Sequence, residues 1–185
     1  DYPPPPGCPE WMGLEIAGTV TEVGPEAAKK SCWKVGDKVC ALLGGGGYAQ
    51  FGNVKYDMLM PVPGNCTMVE AAAMPEAFAT AYLNLFIEGG AKAGDTLLLT
   101  GGNSGLASVT IRMAKAFGLR VITTVRNAEK AAAIADLGAD IIVDTSRERL
   151  ADVLKAQLEA GHGVDIAIDC LGGKDMGACL HYLNR

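Results

Sequence analysis

An unbroken apolar run, Leu97-Leu98-Leu99-Thr100, gives way to Gly101-Gly102-Asn103-Ser104-Gly105-Leu106-Ala107. Residues this small leave backbone N–H groups uncovered, and such groups at the start of a helix attract anions. A helix is expected at once, since Val109, Ile111, Met113, Ala114 and Phe117 recur at helical spacing. Strand, glycine turn and helix in that order suit the pyrophosphate of a dinucleotide, which would lie against Asn103, Ser104, Gly105, Leu106 and Ala107. The strict three-glycine spacing is absent, because Ser104 and Ala107 stand where glycines often do. Alanine is tolerated at the last position, which mainly serves close helix–strand packing. Alone, the segment fits either this site or a tight turn without a ligand.

NAD-selective folds place an Asp or Glu about twenty residues beyond the turn, where it accepts hydrogen bonds from the ribose 2′-hydroxyl. Here the next apolar run ends Thr123-Thr124-Val125-Arg126-Asn127, with no acid at its tip. Arg126 lies 21 residues after Gly105, and Lys130 follows one helical turn later. Two cations suit a 2′-phosphate and offer nothing specific to a bare ribose, so NADPH is the expected cofactor. The plainer alternatives are a solvated strand-end arginine and a surface helix lysine. Leu171 and Gly172 follow the fourth expected strand, at the strand end where open α/β sheets bind ligands.

The elements that must position these residues change character near residue 65. Before it, β-rich runs at 14–23, 35–43, 48–54 and 59–62 are separated by Gly and Pro, as in a small, largely antiparallel unit. The four glycines 44–47 read as a flexible hairpin loop, because no helix follows them. From Thr67 the spacing is helical, and Pro75 should divide it in two. Beyond Gly90 strands are expected at 96–100, 120–125, 140–143 and 164–169, alternating with helices at 104–117, 128–137, 148–159 and 175–182. Asn127 can cap its helix, and Gly118 and Gly138 follow helices where a left-handed residue is wanted. This alternation means a doubly wound parallel sheet, incomplete at four strands, and it points to an internal piece of a longer enzyme. The expected fold is thus α/β, with part of a mainly antiparallel β domain (1–66) preceding connecting helices and a partial dinucleotide-binding domain (67–185).

Bulk properties narrow the function. The net charge of −5 argues against a nucleic-acid or anionic-membrane partner, and no apolar run approaches a membrane span. Six cysteines and two histidines include no C-x-x-C pair, so neither a metal site nor a disulfide framework is expected. With no signal-peptide pattern visible, the expected compartment is the reducing cytoplasm.

The ordered motifs carry a resemblance that spans essentially the whole chain. They are Tyr2-Pro3-Pro4-Pro5-Pro6-Gly7, Gly13-Leu14-Glu15-Ile16-Ala17-Gly18, Val35-Gly36-Asp37-Lys38-Val39 and Gly47-Tyr48-Ala49-Gln50-Phe51. Next come Glu70-Ala71-Ala72-Ala73-Met74-Pro75-Glu76-Ala77, Thr80-Ala81-Tyr82 and the glycine turn. Ala128-Glu129-Lys130, Leu137-Gly138-Ala139 and Asp169-Cys170-Leu171-Gly172-Gly173 complete the set. Together they resemble the zinc-independent NADPH:quinone oxidoreductases of the medium-chain dehydrogenase/reductase superfamily. The resemblance implies a GroES-like catalytic domain followed by a Rossmann-type domain, in a longer protein of which this chain is the middle. Zinc-dependent relatives carry a His before the glutamate of the Gly13 motif, where this chain has Leu14, so no metal is implied.

The same resemblance implies hydride transfer from NADPH to a quinone or conjugated enone. Thr80 would lie near the nicotinamide, although a helix threonine bonding its own backbone fits equally well. Lys130 matches a cofactor contact of the family, whereas Arg126 departs from it and could clamp the 2′-phosphate or obstruct it. Thr145 stands where the family often has a tyrosine over the adenosine phosphate. Tyr2 aligns with an active-site tyrosine of some relatives and is the catalytic candidate, as proton donor or as pocket wall. Two alternatives remain: an enoyl-thioester reductase of the same superfamily, and a non-catalytic NADPH-binding or structural protein. A homodimer is the implied assembly of the full-length protein.

Overall fold

The computed structural model describes residues 6–184, which fall into two compact units, one ending at residue 79 and the other beginning at residue 80. In the first, β1 (Glu15–Thr19), β2 (Lys38–Leu42) and β3 (Leu59–Pro61) form an antiparallel sheet in that order. A short helix α1 (Pro25–Lys30) joins β1 to β2. Val39, Cys40 and Ala41 of β2 are buried, as a middle strand requires. Helix α2 (Met68–Ala72) covers them and is started by a capping box: Thr67 Oγ1 accepts from the Glu70 N–H while the Glu70 carboxylate accepts from the Thr67 N–H. Pro75 opens α3 (Pro75–Tyr82), so the proline divides the two helices as expected.

Two expectations for this unit need correction. Residues 48–54 form no strand, because a strand requires a ladder partner and β1, β2 and β3 pair only with one another. The glycine loop 44–47 is pinned rather than loose. Gly46 and Gly47 N–H groups donate to the carbonyls of Trp11 and Gly13 at 2.8 and 2.9 Å. Gly13 and Gly47 then cross backbone on backbone, and a Cβ on Gly47 would lie 2.9 Å from the Gly13 carbonyl carbon.

The second unit is a four-stranded parallel sheet in the order β6-β5-β4-β7. Its strands are β4 (Thr96–Leu99), β5 (Arg120–Val125), β6 (Ile141–Asp144) and β7 (Ile166–Ile168). Between them run α4 (Gly105–Ala116), α5 (Ala128–Ala133) and α6 (Leu150–Glu159), and α7 (Met176–His181) follows β7. Leu97 and Leu99 enter one core with Ala107, Ile111 and Ala114 of α4, while Leu98 faces the other way onto Leu150, Leu154 and Cys179. A strand covered on both faces has no use for alternation, which is why β4 reads as a continuous apolar run. Gly118 and Gly138 adopt φ of +79° and +94° after their helices, and Asn127 Oδ1 accepts from the Lys130 N–H at 3.0 Å. The segment Leu83–Glu88, between α3 and β4, is a π-helical turn that the spacing did not signal.

Asp140 fastens α4 to the start of β6. Its carboxylate accepts from Lys115 Nζ at 2.8 Å and from the Val121 N–H at 2.7 Å. Partial burial would raise its pKa, but the Lys115 ammonium and the Val121 N–H outweigh it and hold the carboxyl low. Lys115→Ala should therefore cost under about 1 kcal/mol, as for other exposed pairs. Asp140→Ala should cost about 1 kcal/mol more, because it also strips a backbone N–H of its acceptor; urea denaturation of the two variants checks the order.

Candidate dinucleotide site

Chain order and spatial order diverge at β4. From β4 the chain steps outward to β5 and β6, then returns to place β7 on the opposite side of β4. The carboxyl ends of β4 and β7 thus flank the switch point, where open α/β sheets form their ligand crevice. Residues 100–107 and 169–172 all lie at this edge.

The glycine turn divides its labour. Gly101, at φ +71°, makes the bend, and a Cβ on it would stand 3.4 Å from the Leu171 side chain. Gly102 is buried with its N–H on the Thr124 carbonyl at 2.8 Å, and a Cβ there would clash with Thr123 and Ile134. Ser104 caps α4, its Oγ accepting from the Ala107 N–H at 3.1 Å. Ala107 is buried against the sheet, which explains why a small residue follows the turn. A Cβ on Gly105 would meet nothing within 4 Å, so the first turn of α4 opens onto free space. The N–H groups of Gly105 and Leu106 have no acceptor inside the helix and add the partial positive charge of its N-terminus there. Asn103 and Gly105 are exposed and Leu106 half-buried beside this space.

Across the crevice, Asp169 organises the end of β7. Its Oδ1 accepts from Thr100 Oγ1 at 2.6 Å, from the Leu171 N–H at 3.0 Å and from the Gly172 N–H at 3.1 Å. Thr100 Oγ1 in turn accepts from the Cys170 N–H at 3.1 Å. The Thr100 bond first, and the two backbone N–H groups against a small burial cost, hold the Asp169 carboxyl below the usual carboxylate range. Gly172 has φ 63° and ψ −149°, a conformation essentially reserved for glycine. The structure therefore brings Leu171 and Gly172 beside the glycine turn, and the clamp that does so, Thr100 with Asp169, was missed as a site feature. Its signal was a hydroxyl and an acid ending two separate apolar runs.

The remaining candidates lie on separate elements. Arg126 is exposed at the tip of β5, and its guanidinium has no hydrogen-bond or ion-pair partner among the described residues. Lys130 is half-buried in α5, one turn on, with its side chain likewise unpaired among those residues. Thr80 lies half-buried on α3, and its carbonyl accepts from the Asn84 side-chain amide at 2.8 Å. Tyr2 lies outside the described residues. In the other unit the Glu15 carboxylate accepts from the Glu76 N–H at 3.0 Å, in the first turn of α3, which is a structural use of that acid. Among the described residues no group of three His, Cys, Asp or Glu side chains could hold a metal ion, and no helix is long and apolar enough to cross a membrane.

Residues 2–64 match the family described as alcohol dehydrogenase GroES-like domain, and residues 105–185 match that described as zinc-binding dehydrogenase. Quinone oxidoreductase-like protein 2 homolog of Nematostella vectensis is 34% identical over 97% of this chain and 48% of its own length. Squalestatin tetraketide synthase of Phoma sp. is 35% identical over 88% of this chain, which is 6% of that protein. The quinone oxidoreductase of Escherichia coli complexed with NADPH superposes with a TM-score of 0.83 at 28% identity, covering 98% of this chain and 55% of that one. The chain thus spans about half the length of its quinone oxidoreductase relatives. An antiparallel sheet matched to the first family, followed by a parallel sheet matched to the second, assigns the chain to the medium-chain dehydrogenase/reductase superfamily.

Proposed function

We propose that this chain supplies the NADPH site of a reductase that transfers hydride to a quinone or conjugated enone without zinc. The observation that carries the reading is the open, N–H-lined start of α4 at the switch point, with Arg126 and Lys130 beyond it and no acid at the tip of β5. An anion fits there, because the space at Gly105 is what a pyrophosphate would occupy. NADPH, when bound, supplies the hydride. Gly105 and Leu106 offer their free N–H groups to the pyrophosphate beside Asn103, while Ser104 caps the helix and Ala107 packs it against the sheet, and Arg126 and Lys130 balance the 2′-phosphate. Leu171 and Gly172, fixed by Asp169, wall the crevice on the β7 side. Thr80 is assigned to the nicotinamide end and Tyr2 to the reacting carbonyl, both from the family resemblance. The zinc-free reading is supported by Leu14 before Glu15 and by the engagement of Glu15 with α3. A cytoplasmic location and a homodimer of the full-length protein complete the proposal.

Titration with NADPH and NADH tests the cofactor assignment. NADPH should bind at least about tenfold more tightly, as expected of charge-assisted bonds to a phosphate. Arg126→Ala and Lys130→Ala should each reduce that ratio; an unchanged ratio in both rejects the 2′-phosphate assignment. The likeness to a tetraketide synthase favours a second reading, a reductase of enoyl thioesters. In the full-length protein, turnover of a simple quinone should exceed that of a crotonyl thioester; the reverse order selects the second reading. Tight NADPH binding with no hydride transfer to any acceptor would indicate a non-catalytic protein.

A further inference from the structure

We infer that Arg147, at the tip of β6, is a second determinant of cofactor choice and shares the 2′-phosphate with Arg126 at the neighbouring tip of β5. The inference rests on the NADPH reading above. Its starting point is the register of the sheet. Val125 pairs with Asp144 as the last rung between β5 and β6. Beyond that rung the strands stay tied, because both the N–H and the Oγ1–H of Thr145 donate to the Val125 carbonyl, at 2.9 and 3.1 Å. Arg126 and Thr145, the next residues of each strand, are therefore neighbours at the carboxyl edge. A dinucleotide with its pyrophosphate at α4 and its adenosine ribose at the tip of β5 turns its 2′ position toward this rung.

The chain after Thr145 is bent to present an arginine there. Asp144 Oδ1 accepts from the Ser146 N–H at 3.0 Å and from Ser146 Oγ at 2.7 Å, an Asx turn that reverses the chain. The Arg147 and Glu148 N–H groups close the bend on the Asp144 carbonyl at 2.9 and 3.1 Å. Arg147 Nε then stands 3.6 Å from Asp144 Oδ2, a buried oxygen that has no hydrogen bond. Asp144 is thus a loose ion-pair neighbour of one edge of the guanidinium. The side chain remains 75% exposed, with its terminal N–H groups unpaired among the described residues. A planar fork with its tips free is suited to bidentate phosphate binding.

Further charges surround Arg147. Thr145, Ser146, Arg147, Glu148, Arg149 and Asp152 line one shallow hollow here. Arg149 stands 4.0 Å from Asp152 with both side chains largely exposed, and Glu148 is the remaining acid; of the two arginines, Arg147 is the nearer in the chain to the Thr145 rung. Thr145 puts a small side chain on the rung between the chain positions of Arg126 and Arg147.

The test uses the full 185-residue chain and two probes that differ only by the 2′-phosphate, adenosine 2′,5′-bisphosphate and 5′-AMP, in calorimetric titrations at low salt. The wild type should prefer the bisphosphate. Arg147→Ala should weaken bisphosphate binding about tenfold or more and leave 5′-AMP unchanged. Arg147→Glu should abolish the preference, and Arg149→Ala should retain it. Thermal melts check that these exposed substitutions leave the fold intact. If the wild type binds the bisphosphate preferentially and Arg147→Ala keeps that preference, or loses both probes equally, Arg147 has no such role while the NADPH reading stands. A wild type that binds the two probes alike overturns both.

Discussion

Gly102→Ala is expected to lower the unfolding free energy by about 2–4 kcal/mol, the sum of an overpacked site and a disrupted buried hydrogen bond. The added methyl would clash with Thr123 Oγ1 and lie 2.9 Å from Thr123 Cγ2 and 3.0 Å from Ile134 Cδ1. The Thr123 atoms cannot yield cheaply. Thr123 is fully buried and its hydroxyl donates to the Leu99 carbonyl at 2.8 Å, so rotating it leaves a buried polar group without its partner. Retreat of the backbone would break the Gly102 N–H bond to Thr124, at 2.8 Å. Gly105→Ala is the contrasting variant, since its methyl enters open space. It should leave stability within about 1 kcal/mol of wild type, or raise it, as helix propensity favours alanine. Its effect should appear in NADPH titration instead, because the methyl occupies the space assigned to the pyrophosphate. Urea denaturation of both variants separates packing from binding. Equal stabilities would show that Gly102 is not the residue holding the turn against β5.

Asp169→Ala should cost about 2–3 kcal/mol and loosen the crevice on the β7 side, since three donors lose their acceptor in a partly solvated place. That oxygen is the acceptor for the Gly172 N–H, so its loss frees Gly172 from its unusual dihedrals. Asp169→Asn keeps an acceptor oxygen and should recover part of the loss at neutral pH. The pH dependence has a definite sign. Because the folded carboxyl titrates below its unfolded value of about 3.9, the unfolded chain takes up the proton first as pH falls. The contribution of Asp169 is thus complete above that value and disappears as pH drops through the lowered folded pKa. Wild type should exceed Asp169→Asn in stability at pH 7, and the gap should narrow as pH falls below the unfolded value and through the lowered folded pKa. A gap independent of pH would mean that the charge of Asp169 contributes nothing to the clamp.

Local chemistry explains which elements could be read from the chain. Thr67, Pro75, Ser104 and Asn127 start or cap helices through contacts within three or four residues, and Gly118 and Gly138 end them by their own dihedrals. Residues 48–54 failed as a strand because alternation reports only a face suited to a sheet; a strand also requires a neighbour elsewhere in the chain. The π-helical turn at Leu83–Glu88 gave no signal either, since its apolar residues also fit ordinary helical spacing.

By itself the sequence determined that a turn of small residues lies between an apolar run and a helix, and that cations rather than an acid follow the next run. Both are properties of residue type at short range, where backbone exposure and charge act directly. The tertiary structure decided how the turn works. It made Gly102 the packing glycine and Gly105 the open one, because Thr123 comes from another strand. It joined Thr100 to Asp169 across 69 residues, and it brought Thr145 against Val125 across 20. Hydrogen bonds between parallel strands connect residues whose separation in the chain is set by the intervening helices. No local pattern carries that register, and the partners became visible only when the sheet was assembled.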